Sequence, residues 1–236
     1  MAIKAVLFDL DGTLLPMEQE RFIGCYFKLL AAKLASLGYD PEHVVDSVWK
    51  GVGAMIKNDG SCKNEDAFWN TLSLIYGQDC AKDKEELHRF YETEFNKVQE
   101  VCGQQPASRE VVDLVKSKGL TAVLATNPLF PAVATKSRMS WVNLVPEDFA
   151  YYTTYENSHY CKPNIKYYQE ILEQTGLKAQ ECLMVGNDAG EDMIAETLGM
   201  QVFLLTDCLE NSKQLDISRY PQGGFEELKR YIENLN

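Results

Sequence analysis

Ile3-Lys4-Ala5-Val6-Leu7-Phe8-Asp9-Leu10-Asp11-Gly12-Thr13-Leu14-Leu15 is an apolar run that stops on two acids one residue apart. Ala5 to Phe8 is unbroken and apolar, the pattern of a strand buried on both faces of a parallel sheet. Gly12-Thr13 follows where the chain must turn away. Extended backbone alternates its side chains, so Asp9 and Asp11 share one side with Leu10 opposite. Two like charges at one strand end call for a cation or a proton, and ligands of open α/β sheets bind at that end of a strand. The competing reading is a solvated turn, which Asp and Gly favour on conformational grounds.

The 236 residues suffice for one sizeable core or for a core with a smaller appended domain, and the second is expected. With 45% hydrophobic and 25% charged residues the composition is that of a globular protein. No apolar run is long enough to span a membrane, and the N-terminus lacks the basic stretch of a signal peptide, which predicts a cytoplasmic protein. Seven cysteines are scattered without a Cys-x-x-Cys pair, so they read as reduced thiols, with Cys182 and Cys25 inside a strand and a helix. The formal charge of −12 argues against nucleic acid or an anionic membrane as partner. A small anion would need a metal and a well-placed lysine to overcome that field.

Pro16 to Pro106 has helical apolar spacing and no convincing strand. Ile23, Tyr26, Phe27, Leu30, Leu34 and Leu37 form one stripe ended by Gly38, and Pro41 opens a second helix near its first turn. A third stripe, Phe68, Leu72 and Ile75, stops at Gly77; a fourth runs from Leu87 to Val98. The aromatics read as bundle core, with Trp49 and Trp69 partly facing a cleft, while Gly51-Val52-Gly53 reads as a flexible loop near the site or as a break between helices. After Pro106 helix and strand alternate, the signature of a doubly wound sheet. The expected helices are 111–118, 131–140, 164–175, 191–198 and 225–235; the expected strands are 120–125, 149–153, 181–185 and 201–205. The first strand therefore pairs into a sheet built mostly after residue 106, and one domain is interrupted by another.

Three later strand ends and helix starts carry polar residues. Thr126 follows Thr121 to Ala125 and stands before Asn127-Pro128, where its hydroxyl can donate to a phosphoryl oxygen or cap a turn. Lys162-Pro163-Asn164 precedes a helix with Asn164 as N-cap, and Lys162 is either a phosphate anchor or a solvated charge. Met184-Val185-Gly186-Asn187-Asp188-Ala189-Gly190-Glu191-Asp192 again runs from strand to glycine to acids, which also suit a first helical turn on dipole grounds.

The whole series, Asp9-x-Asp11-Gly12-Thr13, then Thr126-Asn127, then Lys162-Pro163-Asn164, then Gly186-Asn187-Asp188, resembles motifs I to IV of the haloacid dehalogenase superfamily in their order. The resemblance covers residues 3–15 and about 106–206; residues 16–105 share only a helical character with the C1 caps of that superfamily. It implies a Rossmann-like doubly wound parallel core of residues 1–15 and 106–236, carrying an inserted all-helical C1 cap of residues 16–105. It implies Asp9 as nucleophile, Asp11 as general acid/base, Thr126, Asn127 and Lys162 on the phosphate, and Mg²⁺ as cofactor held by Asp9, the Asp11 carbonyl and Asp188. The usual motif puts Asp directly after Gly, where this chain has Asn187; Asp188 is preferred because a carboxylate holds Mg²⁺ better than an amide oxygen. Asp192 is expected on a metal-bound water or on Lys162.

The activity implied is hydrolysis of a small-molecule phosphate monoester through an aspartyl phosphate. A phosphomutase of the β-phosphoglucomutase type shares every motif. A haloacid dehalogenase lacks the second acid, so Asp11 argues against it, and a noncatalytic metal- or phosphate-binding regulator would not need all positions filled. Arg21, Lys50, Lys57 and His43 are candidate anion contacts in the cap or solvated charges. Oligomeric state has no signal in the sequence.

Overall fold

A computed structural model describes residues 2–235. Its strands are β1 (Ala5–Phe8), β2 (Thr121–Leu124), β3 (Tyr151–Tyr152), β4 (Cys182–Gly186), β5 (Gln201–Leu205) and β6 (Gln222–Gly223). They form one wholly parallel sheet in the order β3-β2-β1-β4-β5-β6. β1 is central, and the order reverses about it, so its C-terminal end opens the crevice in which such sheets bind ligands. Phe8 stands between Leu124 and Val185 in register, which brings Asp9, Ala125-Thr126 and Gly186-Asn187 to one edge.

The alternation of β1 sorts two layers of helices. Val6 and Phe8 face the cluster containing Val111, Val112 and Val115 of α5 (Pro106–Ser117) and Leu228 and Ile232 of α8 (Phe225–Glu233). Ala5 and Leu7 face Tyr167, Tyr168 and Ile171 of α7 (Ile165–Thr175), with Met193 and Ala195 of the 3-10 helix Met193–Leu198. This is the expected doubly wound, Rossmann-like arrangement.

Between β1 and β2 the chain forms α1 (Gln19–Ser36), α2 (Val44–Ile56), α3 (Asn64–Tyr76) and α4 (Lys84–Glu92), then a 3-10 helix, Glu94–Val101. The cluster on the Val6 and Phe8 side continues without a gap through Leu10, Leu14 and Leu15 into Phe22, Tyr26, Leu30, Phe90 and Phe95. α6 (Ala132–Trp141) packs into it through Ala134, Met139 and Trp141.

Several expectations are corrected. The fourth stripe is one helix in sequence but breaks at Thr93, whose φ of −120° and ψ of −85° are not helical; Phe95 and Val98 remain buried because a 3-10 helix carries the stripe onward. Pro41 lies in the turn before α2 and does not open it. Gly51-Val52-Gly53 lies inside α2, and Gly51 is required by packing: a Cβ there would meet the Phe68 ring at 2.6 Å and Leu72 at 2.8 Å. The 191–198 segment is 3-10 rather than α-helical and starts at Met193. β6 was not expected, since Gln222-Gly223 has no apolar pattern and is a strand only through its pairing with Leu204 and Leu205.

All seven cysteines are unpaired. Among the described residues no helix is long and apolar enough to cross a membrane.

Candidate active site

Asp9 leaves β1 with its amide donating to Val185 O at 2.9 Å, so the strand pairing itself aims the carboxylate out of the sheet edge. Its Oδ1 accepts from Lys162 Nζ at 2.8 Å. The same ammonium donates to Asp192 Oδ1 at 2.6 Å, and Asp192 Oδ2 accepts from the Asp188 amide at 3.0 Å. All three side chains are buried. Burial works against the Lys162 charge, but Asp192 and Asp9 outweigh it and hold the ammonium above its ordinary pKa. Burial pushes the Asp192 carboxyl up, with Lys162 opposing and Asp9 reinforcing it. Gly186 makes this packing possible, because a Cβ would come within 2.0 Å of the Asp192 carboxylate.

Thr126 is buried at the end of β2. Its carbonyl is fixed by Thr153 Oγ1 at 2.6 Å and Tyr167 Oη at 2.8 Å, whereas its own Oγ1 is buried without a partner. Asn127 Oδ1 accepts from the Lys162 amide at 3.3 Å, and its Nδ2 donates to Glu191 Oε2 at 3.1 Å. The Asn164 side chain accepts from the Lys166 amide at 3.1 Å, which caps α7 as expected and holds the helix that follows Lys162.

Asn187 and Asp188 differ in what they have left to offer. Asn187 Nδ2 donates to Cys208 O at 2.8 Å and Oδ1 lies 2.8 Å from Thr13 Oγ1, so both ends of the amide are engaged by the protein. Its side chain also lies where a Cβ of Gly12 would stand, 2.4 Å away, and Gly12 has φ +80°; this turn admits glycine alone on both counts. Asp188 Oδ1 accepts from the amides of Gly190 and Glu191 at 2.7 and 2.9 Å, which leaves Oδ2 for another partner.

Asp11 stands just before a turn closed by Gly12 N to Leu15 O at 2.8 Å. Its Oδ2 accepts from Arg138 Nη1 on α6, and its Oδ1 is buried with no partner. Burial raises the Asp11 carboxyl, Arg138 opposes, and the neighbouring Asp9 raises it further; the net direction is up. Arg138 is fully buried, its Nη2 3.2 Å from Thr135 Oγ1 and its guanidinium 4.3 Å over the Phe130 ring. Sequence reasoning missed this residue. Its signal is positional: Arg138 falls on the apolar stripe of Ala134, Thr135 and Trp141, where an unpaired guanidinium would not be buried. Thr13 was also missed; its Oγ1 lies 3.1 Å from Asp9 Oδ2 and 2.8 Å from Asn187 Oδ1, and its one hydrogen serves one of them at a time.

Asp9, Asp11, Thr126, Asn127, Lys162, Asn187, Asp188 and Asp192 all line one cavity of about 420 Å³. Trp49 and Trp69 line it from the helical side. Arg21, Lys50, Lys57 and His43 do not: the first two pair with Glu18 at 3.9 Å and Asp46 at 2.6 Å, His43 lies 3.8 Å from Asp40, and all four are exposed.

The donor chemistry suits a hard cation. Six carboxylates, Asp9, Asp11, Asp188, Glu191, Asp192 and Glu210, line the cavity near Lys162, so an anion arriving there meets net negative charge. Among the described residues no three acidic, histidine or cysteine side chains converge as a ready cation cage. The expected set does not need one, having two carboxylates, Asp9 and Asp188, and a main-chain carbonyl, with water filling the remainder as Mg²⁺ prefers.

The profile of the haloacid dehalogenase-like hydrolases matches residues 3–195. The chain belongs to that family. No curated protein matches the sequence. Among solved structures the hydrolase is similar to a HAD phosphatase from Thermococcus onnurineus, with 20% identity, 98% of each chain covered and a TM-score of 0.62. It is also similar to a putative beta-phosphoglucomutase from Thermotoga maritima, at 20% identity over 99% of this chain and 100% of that one, TM-score 0.59. A 2-haloacid dehalogenase from Pseudomonas syringae pv. Tomato DC3000 matches at 20% identity over 97% and 99%, TM-score 0.58. Similarity at this identity shows the fold, which this hydrolase shares with phosphatase, mutase and dehalogenase alike.

Proposed function

We propose that this hydrolase is a Mg²⁺-dependent phosphatase that cleaves a small-molecule phosphate monoester through an aspartyl phosphate on Asp9, with residues 16–105 as a cap over the core of residues 1–15 and 106–236. The observation that carries the reading is the pair of buried, unpartnered oxygens, Asp11 Oδ1 and Thr126 Oγ1, on the cavity that holds Asp9. Buried polar atoms are left unpaired at a cost of about 1–3 kcal/mol each, which a bound phosphoryl group and its leaving oxygen would relieve.

Asp9 Oδ1 is anchored by Lys162, which orients the carboxylate for in-line attack on phosphorus and places a fixed positive charge beside the phosphoryl oxygens. Thr126 donates its hydroxyl hydrogen to one of those oxygens. Asp11, raised by burial and by Asp9, holds a proton that it passes to the departing ester oxygen. Once ionised, the same carboxylate takes a proton from the water that attacks the acyl phosphate, so phosphate leaves and Asp9 is restored. Asp9, Asp188 and the Asp11 carbonyl would hold Mg²⁺, which when bound supplies charge neutralisation between the nucleophile and the phosphoryl group. A dehalogenase has no leaving-group proton to supply and no use for Asp11. The net charge of −12 disfavours nucleic acid, and seven unpaired cysteines suit a reducing cytoplasm.

With p-nitrophenyl phosphate, wild-type turnover should require Mg²⁺, and Asp9→Asn should lower kcat by about 10³-fold or more. Turnover retained in that variant overturns the mechanism.

A further inference from the structure

The cavity around Asp9 continues beneath α1–α4, where its wall is Tyr26, Trp49, Phe68, Trp69, Phe130 and Tyr155. Apart from the indole N–H of Trp49, whose side chain is exposed, the polar atoms of this wall are spent on one another. Tyr26 Oη and Tyr91 Oη share a hydrogen bond of 2.7 Å, and Trp69 Nε1 lies 3.5 Å from Tyr155 Oη. Charged groups there are committed as well. Lys84 pairs with Glu65 at 2.8 Å and lies 5.9 Å over the Trp69 ring, while both Glu156 oxygens accept from the Ala132 amide at 2.9 and 3.0 Å. The remaining polar residues on this side, Gln19 and His88, are exposed. The two unpartnered buried oxygens of the cavity both lie at the sheet end.

The two ends therefore ask for different chemistry. Sugar hydroxyls brought against the buried part of the aromatic wall would lose their water and find few donors or acceptors, a loss that polar groups do not recover by packing. A second phosphate or a carboxylate would meet no uncommitted cation among the described lining residues. Apolar rings match the wall in area and in edge-to-face geometry. The volume also fits: a cavity of about 150 Å³ accommodates one benzene, so about 420 Å³ leaves room for a phosphoryl group and a bicyclic ring.

Resting on the phosphatase reading, we infer that the alcohol of the natural ester is an uncharged, bulky, ring-bearing apolar group, so that the substrate class is the phosphate monoesters of arylalkyl alcohols. A hexose phosphate and a phosphorylated hydroxy acid belong outside it.

Three esters of primary alcohols test this with Mg²⁺ present: 1-naphthylmethyl phosphate, glucose 6-phosphate and 2-phosphoglycolate. The first should have a kcat/KM at least about tenfold above either polar ester; a smaller advantage, or a preference for a polar ester, overturns the inference. Val52→Trp, which adds a further ring to the cavity wall, should lower that ratio about tenfold by crowding the naphthyl group. If no ester is hydrolysed, the phosphatase reading fails, and equilibrium binding then decides the ligand class alone. Quenching of tryptophan fluorescence by 1-naphthylmethyl phosphate should saturate and should survive a hundredfold excess of glucose 6-phosphate. Absence of saturable quenching, or displacement by the sugar phosphate, overturns it.

Discussion

At the scale of single residues the decisive pair is Asp11 and Arg138. Burial and Asp9 raise the Asp11 carboxyl while Arg138 lowers it, so removing the guanidinium leaves burial and Asp9 opposed by Lys162 and moves the carboxyl up. Arg138→Met should therefore move the alkaline limb of the kcat/KM profile to higher pH for an alkyl ester, whose leaving oxygen needs a proton. An unmoved limb would show that Asp11 is not the proton donor. Asp11→Asn should cost about 10²–10⁴-fold on such an ester, the usual contribution of a general acid, and less on p-nitrophenyl phosphate, whose leaving group departs unprotonated. The acid pair was legible in the sequence because it is local: strand, two acids and turn lie within nine residues. Arg138 was not, since it reaches Asp11 from 127 positions away and nothing near either residue announces the other.

At the scale of elements, three of the four sites stand where a strand stops and the fourth where a helix starts, and this is why sites separated by long intervals could be read in order. Asp9, Thr126 and Asn187 sit at neighbouring strand ends, and the N-cap of α7 fixes the approach of Lys162. The break at Thr93 was illegible for the opposite reason, because its apolar spacing continues unchanged across two kinds of helix.

The joint between α5 and the turn before β3 rests on Asp148, whose oxygens accept from Arg109 Nη1 at 2.5 Å, Lys116 Nζ at 2.8 Å and Val145 N at 3.0 Å. Burial would raise this carboxyl, but the hydrogen bonds from Arg109, Lys116 and Val145 outweigh it and hold it well below the usual carboxylate range. The folded chain then releases this proton more readily than the unfolded one. Its stabilisation is complete above about pH 4 and is lost as pH falls from there through the depressed value. Asp148→Asn should lower stability at neutral pH by about 1–2 kcal/mol, after allowance for the partly exposed cations, and should flatten the acid limb of stability measured by urea denaturation. An unchanged acid limb would assign that limb to other carboxylates.

At the scale of the whole molecule, the helical segment and the sheet share one apolar interior, and Phe95 is a junction within it. Its ring lies 5.7 Å from Tyr26, 5.3 Å from Tyr91, 6.1 Å from Phe130 and 5.3 Å from Trp141. Phe95→Ala should cost about 3–5 kcal/mol. In the wild type, circular dichroism and tryptophan fluorescence should report a single coincident unfolding transition, because no boundary in the core separates the two segments. Two separated transitions would contradict this.

The same unity reaches the loop before Lys162. Asn64, fully buried at the start of α3, donates its amide to Ser158 O at 2.9 Å, and its side chain lies 3.3 Å from Cys161 Sγ. The Glu65 amide donates to Tyr155 O at 2.9 Å. Any excursion of α3 away from the sheet must break these bonds or drag the 155–161 loop with it, and that loop leads directly into the lysine that anchors Asp9. Where those bonds hold, the helical wall of the cavity and the lysine at its floor move as one piece, so a displacement of α3 would be felt at the Lys162–Asp9 contact.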